Sequence, residues 1–365
     1  RDRSVSRGLG DVYKRQGLDM SFLNNRLTFT GDYFIRNTEG MLADSYELPG
    51  VFGAKTPDEN CADLRTNGWE LYLGWNDSFA LMGKRFNYTV SASLGDNKTV
   101  ITKYNNPEKL LTDYYEGMVL GEIWGYRIDG LFASDEEATE YTSKINQDFV
   151  NARILSDKVD PYYRAGDLKF RDLDNNNVIN KGDDTVYDPG DREIIGNETP
   201  RYNYSFRLGA DWNGFDLGIF FQGVGKRDWY PNHLSTGFWG PYSRAFTSFI
   251  PENFMDQCWS EENPGGYFPR FRGYQTFKDS QLGVNNDRYL QNASYIRLKN
   301  LTVGYTLPVL KKVFTKLRVY FTGENLWYWS PMKKYTKYID PEAAGGNGNT
   351  GMAYNYCLLY TSPSP

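Results

Sequence analysis

The sequence predicts an all-β fold made of amphipathic strands, as in an antiparallel transmembrane β-barrel. Three observations support this prediction. Apolar and polar residues alternate along many segments, which indicates strands with two unlike faces. The connections between these segments are alternately tight and very long. Aromatic residues make up 16 % of the chain, and they concentrate near segment ends, where membrane barrels carry aromatic girdles.

The segment RYNYSFRLGADWNGFDLGIFFQGVG at 201–225 shows the alternation most clearly. Its Asn213-Gly214 pair is the strongest short signal for a hairpin turn. One face of the first arm carries Tyr202, Tyr204, Phe206, Leu208, Ala210 and Trp212. We expect this face to contact lipid. The opposite face, with Arg207 and Asp211, is expected to line a water-filled lumen together with Arg318 and Glu324 of a later strand.

Nine strands are predicted along the chain. They span 17–22, 26–36, 66–77, 85–96, 122–132, 201–212, 215–225, 290–306 and 316–325. The tight connections are 23–25, 78–84, 213–214 and 307–315, and the long ones are 37–65, 97–121, 133–200 and 226–289. Soluble domains rarely contain structureless loops beyond about 12–15 residues. Outer-membrane barrels combine short periplasmic turns with long extracellular loops.

The apolar face changes phase within the strand at 290–306. Ile296 and Leu298 share one face, whereas Leu301, Val303 and Tyr305 fall on the other by simple alternation. A β-bulge at Lys299-Asn300 would restore a single apolar face, because a bulge inserts one extra residue.

Composition argues against several functional classes. The net charge of −5 and the lack of a basic stripe argue against a nucleic-acid partner. One His and three Cys leave little from which to build a His/Cys metal centre or a catalytic triad. Paired carboxylates such as Glu136-Glu137 are typical of a solvated surface. We therefore expect no enzymatic activity.

The two ends of the chain have an unusual relation. Residues 357–365 read CLLYTSPSP and residues 8–16 read GLGDVYKRQ. Back-translation gives one DNA word in opposite orientations, similar to a transposase-end tag of sequencing libraries. We expect 1–16 and 357–365 to be non-native and 17–356 to be native barrel sequence. Cys61 and Cys258 then remain, either as a disulfide in an oxidising compartment or as two free thiols.

The stretch DLDNNNVINKGD has the spacing of a calcium-binding loop. Its expected ligands are Asp172, Asp174, Asn176, the Val178 carbonyl, Asn180 and Asp183, and Ile179 is the apolar residue at position 8. Calcium takes six to eight oxygen ligands, which alternate residues of a tight loop can supply. Asn177 stands where a glycine is usual, and Asp183 where a longer Glu is usual. The alternatives are a structural calcium clamp and a polar turn without an ion.

The long connection 226–289 combines aromatic and planar polar residues. The candidate ligand-binding residues are Trp229, Tyr230, Trp239, Tyr242, Arg244 and Trp259. Aromatic faces beside polar groups suit sugar binding, because the C–H face of a pyranose stacks on a ring. The same composition suits a protein interface. A third possibility is that the rings pack this loop onto itself.

Several motifs, in order, resemble the SusC/RagA family of TonB-dependent outer-membrane transporters of Bacteroidota. They are DYFIRNTEGML at 32–42, LRTNGWELYLGW at 64–75, GDLKFRDLDNNNVINKGD at 166–183, NASYIRLKNLTVGYTLP at 292–308 and LRVYFTGENLWYWS at 317–330. The resemblance covers essentially all of 17–356. It implies a barrel of about 22 strands, of which this chain would form the C-terminal part.

The resemblance also implies a function and partners. The chain would take part in TonB-dependent import of an oligosaccharide or peptide across the bacterial outer membrane. A SusD-like surface lipoprotein would be its partner, TonB would act through an N-terminal plug, and lipid would surround the barrel. The alternative is a secreted, soluble carbohydrate-binding or carbohydrate-cleaving β-sandwich or propeller protein.

Overall fold

The computed structural model of the chain describes residues 10–44, 58–244, 246, 250, 252–277, 280–308, 316–336 and 339–344. The strands of this part are β1 (Gly10–Phe22), β2 (Leu27–Asp44), β3 (Asp58–Leu81), β4 (Lys84–Lys103), β5 (Glu122–Tyr126), β6 (Ile128–Leu131), β7 (Leu168–Phe170), β8 (Arg192–Asn197), β9 (Arg201–Trp212), β10 (Phe215–Lys226), β11 (Asp228–Trp229), β12 (Cys258–Trp259), β13 (Phe268–Arg270), β14 (Gln291–Asn292), β15 (Tyr295–Leu307) and β16 (Leu317–Trp329). The helices are α1 (Asp135–Lys144), α2 (Ala152–Leu155), α3 (Thr236–Trp239) and α4 (Pro241–Arg244), with 3₁₀ turns at Asp148–Val150, Met255–Gln257 and Pro331–Lys334.

Eight long strands form one antiparallel sheet in the order β1-β2-β3-β4-β9-β10-β15-β16. Every neighbour in the sheet is the next long strand along the chain, so the sheet is a meander. Tight turns at 23–26, 82–83 and 213–214 close one end of it. At the other end, β4 and β9 are joined by 104–200, and β10 and β15 by 227–294. The connection 45–57 lies outside the described residues.

The prediction of a long strand at 122–132 is wrong. This segment forms two short strands, β5 and β6, which pair with β8 and β7 and not with the large sheet. Its apolar residues Ile123, Tyr126 and Phe132 are buried among the loops, so this segment packs inside the loops and does not add to the outer face of the sheet. β2, β3 and β4 also extend further than predicted, which shortens the loops expected at 37–65 and 97–121.

One face of the sheet is apolar across all eight strands. The register places Phe206 and Leu208 of β9 opposite Ala92 and Val90 of β4 and opposite Phe221 and Ile219 of β10. The same face continues through Val303 of β15 to Phe321 of β16. These side chains are exposed, with Phe321 at 60 % and Leu73 of β3 at 50 %. No other element of the described part covers this face, and an exposed apolar surface of this size is typical of a site that contacts a membrane or another protein.

Aromatic rings lie near both ends of the apolar face, as the sequence predicts. At the turn end, the Phe79 and Phe86 ring centroids are 5.1 Å apart and those of Phe215 and Tyr305 are 4.4 Å apart. At the loop end, Trp327 and Trp329 are half exposed. Two such bands are typical of proteins that cross a bilayer with strands.

The opposite face of the sheet is polar and internally bonded. The Arg318 Nε donates to Asp216 Oδ1 at 2.8 Å, and the Asn87 amide donates to Asp211 at 2.6 Å. The Arg207 guanidinium lies 5.0 Å from the centre of the Phe220 ring. Glu324 pairs in register with Asn300. The four residues expected on the lumen side therefore share one polar face.

The predicted β-bulge is confirmed. The register between β10 and β15 passes from Phe220–Asn300 to Phe221–Leu298 and leaves Lys299 without a partner. The same position is irregular between β15 and β16. Because of this extra residue, Leu298 and Leu301 both lie on the apolar face.

The loops form a second folded unit, which we call the loop cap: the described residues of 104–200, 227–294 and 330–344. Its hydrophobic core contains Leu168 and Phe170 from the first connection and Trp239 and Phe268 from the second. Met332, from the segment after β16, joins the same core. The continuous hydrophobic core therefore lies in the loops, whereas the sheet presents its apolar side chains outward.

A buried ion-pair cluster fastens the loop cap to the sheet. The fully buried Arg297 of β15 pairs with Asp340, and Lys299 Nζ donates to Glu342 at 2.7 Å. The Arg297 guanidinium also lies 5.1 Å from the Tyr328 ring centre. Removing one partner would leave an uncompensated charge, which typically costs about 3–5 kcal/mol.

The α-helices of the described part are short, and none has the length and apolar character needed to cross a membrane.

We predict that Leu208→Lys destabilises the protein in lipid vesicles by about 2–4 kcal/mol, because it places a charge on the apolar face near the middle of β9. Gln222→Lys, on the polar face of the paired strand β10, is the matched control and should change the free energy of unfolding little. Urea unfolding in vesicles measures both. Equal destabilisation by the two variants would contradict a lipid-facing surface.

Candidate functional site

A polar turn follows β7 and contains the predicted calcium loop. Asp172 accepts hydrogen bonds from the backbone N–H groups of Asn175, at 2.7 Å, and Asn177, at 2.8 Å. Asn177 adopts a left-handed φ of 65°, which Asn tolerates better than most residues. The side chains of short polar residues thus fold this turn by bonding to the nearby backbone.

Three carboxylates converge in this turn, from Asp172, Asp174 and Asp191. One oxygen from each lies within 4.8 Å of the others. Asp191 is fully buried and accepts from the backbone N–H groups of Leu173, at 2.8 Å, and Asn180, at 2.9 Å. Burial, together with the charges of Asp174 and Asp172, raises the pKa of Asp191. Such a group of oxygens can hold a hard divalent cation.

The carboxylates that the structure brings together at this turn differ from those that the spacing predicts. Asp183 lies outside the carboxylate group, and its backbone N–H donates to Asp188 at 3.2 Å. Asn176 and Asn180 use their side-chain oxygens to accept from Val178, at 2.7 Å, and Gly182, at 2.6 Å. The third carboxylate is Asp191, eight positions beyond the expected residue. A twelve-residue spacing cannot reveal it, because the chain turns back through 184–190 before reaching the site.

Ile179 anchors this turn in the loop cap. Its side chain is fully buried, and its backbone N–H donates to the Asn146 carbonyl at 2.7 Å. Asn146 in turn donates its backbone N–H to Asn177 at 2.8 Å. The carboxylate group is therefore joined to the segment that follows α1.

Five of the six candidate ligand-binding residues lie in the core of the loop cap. Trp239 and Tyr242 are fully buried, Trp229 and Trp259 are at most 9 % exposed, and Tyr230 packs against the same core. The observed arrangement is the third alternative considered above, in which the rings pack this loop onto itself.

Internal hydrogen bonds occupy the polar atoms of three of these rings. The Tyr242 hydroxyl donates to the Pro269 carbonyl at 2.6 Å, the Tyr230 hydroxyl to Val284 at 2.9 Å, and Trp239 Nε1 to Asn232 at 3.0 Å. Burial raises the pKa of the Tyr242 phenol far above its usual range. Only the sixth candidate, Arg244, is exposed.

Cys258 is a buried free thiol in the same core, with its pKa raised by burial. The structure therefore shows a free thiol at Cys258 and no disulfide. The side chain of Cys61 lies outside the described residues.

A second buried charge lies where the two long connections meet. The carboxylate of Asp167 is fully buried, and Arg272 Nη2 donates to it at 2.9 Å. Gln281 also donates to Asp167, at 3.3 Å. Burial raises the pKa of Asp167, while the Arg272 charge opposes that change. Sequence reasoning missed this pair, because its members are 105 positions apart.

Sequence comparison finds relatives among TonB-dependent receptors, although no family model matches the chain. Receptor P3 of Formosa agariphila is 28 % identical over 352 residues, 91 % of this chain and 30 % of the relative. The receptor SusC of Bacteroides thetaiotaomicron is 23 % identical over 342 residues, 90 % of this chain and 29 % of SusC. The chain thus spans about 30 % of the length of these relatives.

Structure comparison gives the same result for the fold. The RagAB peptide importer in its closed-closed state matches 94 % of this chain and 34 % of the compared chain, with a TM-score of 0.65 and 21 % identity. A structure described as the RagAB peptide transporter matches with a TM-score of 0.62 and 22 % identity. These findings confirm the predicted all-β fold, as part of a large antiparallel barrel. The resemblance to the SusC/RagA family and the outer-membrane location are likewise confirmed.

We predict that Trp239→Ala destabilises the loop cap by about 3–5 kcal/mol, because it leaves a cavity in a packed core. The expected observation is faster chymotryptic cleavage between 227 and 294, with the sheet still protected. Arg244→Ala, at an exposed position of the same loop, is the control and should change cleavage much less. Unchanged cleavage of the Trp239 variant would show that its ring is not a core residue.

Proposed function

We propose that the chain forms part of the wall and the external loops of a TonB-dependent importer in the bacterial outer membrane. The exposed apolar face of the eight-stranded sheet is the observation that carries this proposal. A soluble sandwich buries such a face against a second sheet. Here the polar face is bonded internally while large apolar side chains such as Phe321 stay exposed.

The cargo of this importer is an oligosaccharide or a peptide. SusC and the peptide transporter RagAB, with which the chain shares 23 % and 22 % identity, support import of nutrients in general. The loop cap meets the cargo first, and the polar face with Arg318 and Asp216 lines its path. The relatives are named as receptors and transporters, which supports a function without catalysis.

Two protein partners follow from this proposal. A SusD-like surface lipoprotein covers the loop end, and TonB supplies energy through a plug inside the complete barrel. The relatives come from Formosa and Bacteroides, which supports an origin in Bacteroidota. A secreted soluble carbohydrate-binding protein is the rival function, and it requires a stable fold in plain buffer.

Deletion of the gene tests the import function. The deletion strain should lose growth on at least one oligosaccharide or peptide of a defined panel, supplied as sole carbon source. The complementing gene should restore growth only in cells with functional TonB, and the protein should fractionate with the outer membrane. Recovery of a monodisperse protein from the culture medium would support the soluble rival instead.

We also infer that the carboxylate group of Asp172, Asp174 and Asp191 binds calcium as a structural clamp. Three carboxylates whose oxygens lie within 4.8 Å of one another repel each other without a cation. Calcium would tie the turn after β7 to the residues before β8. Asp183, although predicted from the spacing, is not part of this proposed clamp.

We predict that Asp191→Asn weakens calcium binding on the order of tenfold or more, because it removes one charged ligand. Asp183→Asn is the matched control and should bind calcium like the parent protein. Calorimetric titration after chelation measures both affinities, and calcium should protect 171–191 from proteolysis only where it binds. Equal calcium affinity of the two variants would contradict a site at Asp191.

A further inference from the structure

A cleft of about 600 Å³ opens between two segments of the loop cap. One wall is formed by the residues after α2, including Lys158, and the other by the residues after β13, including Phe271 and Tyr274. Ile154 and Gln275, both buried, also line it and form its floor. Its volume lies in the range of typical small-ligand sites, about 300–1,000 Å³.

The floor of the cleft contains a donor without an acceptor. Gln275 is fully buried, and its Oε1 accepts from the backbone N–H of Arg272 at 2.9 Å. Since a backbone N–H can only donate, this bond fixes the orientation of the amide. Its Nε2 then has no hydrogen-bond partner among the described residues. Buried polar groups are nearly always paired, so we expect this atom to have an acceptor beyond the described residues, such as a bound ligand.

The rim of the cleft adds further donors. Lys158 is exposed, and no carboxylate of the described part forms an ion pair with it. Arg270 donates from Nε to the Ala165 carbonyl at 2.7 Å, which leaves its terminal nitrogens for another acceptor.

The acidic residues that line the cleft are already engaged. Asp160 accepts from Arg164 at 3.0 Å, and Asp157 accepts from the backbone N–H of Val159 at 2.8 Å. Arg272 is held by Asp167. Both carboxylates therefore already accept hydrogen bonds within the chain, whereas Lys158, the terminal nitrogens of Arg270 and Gln275 Nε2 are available to a ligand that presents acceptors.

The cleft also offers aromatic surface. The Phe271 side chain is 43 % exposed, and its ring lies 5.3 Å from that of Tyr242 in an edge-on contact. Tyr274 adopts a left-handed φ of 62°. A non-glycine residue in that conformation is strained, and such strain is found at ligand clamps. An exposed ring beside hydrogen-bond donors fits the C–H face of a pyranose.

We propose that this cleft binds an oligosaccharide that carries carboxylate groups. The carboxylate would accept from Lys158, a ring or hydroxyl oxygen would accept from Gln275 Nε2, and a pyranose face would stack on Phe271. This inference rests on the proposed import function and specifies a substrate class for it. It uses none of the six aromatic and arginine candidates discussed above.

Calorimetric binding of a short oligogalacturonate and of its methyl ester tests the proposal. The protein is expressed with the neighbouring sequence of its gene and purified in detergent. The two ligands share one backbone, and the ester differs by a methyl group that removes the charge of each carboxylate. The acid should bind about tenfold more tightly, because charge-assisted hydrogen bonds are about twice as strong as neutral ones. Equal affinity for acid and ester, or no binding of either, would overturn the proposal.

Matched variants assign the binding to this cleft. Lys158→Gln should remove most of the preference for the acid, and Phe271→Ala should weaken both ligands by about tenfold or less. Lys144→Gln removes an exposed lysine that pairs with Glu140 on α1, and it should bind like the parent. Acid binding that is insensitive to Lys158→Gln, or an equally tight tetra-glutamate peptide, would count against the proposal. Growth that depends on TonB but shows no acid preference would overturn this cleft assignment alone and leave the import function standing.

Discussion

The rest of the structure depends on one constraint, which is that the apolar face of the eight-stranded sheet points outward and needs an apolar surrounding. In one antiparallel ladder the six inner strands are paired on both sides and the edge strands β1 and β16 on one side, so the sheet can enter a medium that offers no hydrogen bonds when its two edges are also paired. Its outward apolar face then needs no partner layer. A soluble sheet of this size would need a second sheet or a layer of helices to cover that face. Here the polar side chains meet on the opposite face and satisfy each other.

With this arrangement, the hydrophobic core lies in the connections between the strands and not against the sheet. The loops that join β4 to β9 and β10 to β15 pack with the segment after β16 around Trp239, Phe268 and Met332. The aromatic residues of these loops therefore have a structural role first. The proposed ligand sites lie between the packed segments, where Gln275 Nε2 has no partner among the described residues, and in the turn where three carboxylates converge.

Patterns among residues close together in sequence were sufficient to predict the strands of the large sheet. Alternation located its eight strands, and the phase change at Lys299 predicted the bulge, because each depends on residues close together in sequence. The false strand at 122–132 broke the regular change between short and long connections, and strict use of that rhythm would have rejected it. The loop cap could not be derived in the same way. Whether Trp239 faces a ligand or a core depends on Phe268 and Tyr289, which the fold brings to it. Sequence patterns likewise could not reveal that Asp191 joins the carboxylate group or that Asp167 pairs with Arg272, because these partners are far apart in sequence.

The loop cap is built from three separate segments, namely the two long connections and the segment after β16. This construction suggests an order of assembly. No single loop contains enough of the core to fold by itself, because residues of all three segments surround Phe268 and Met332. We expect the strands to pair first and bring the loop ends together, since the hairpins with tight turns close at little entropic cost and distant contacts form later. Arg297, at the loop end of β15, joins its carboxylate partner Asp340 only after β16 has been placed. On this reasoning, the loop cap is expected to pack last, after the strands of the sheet have paired.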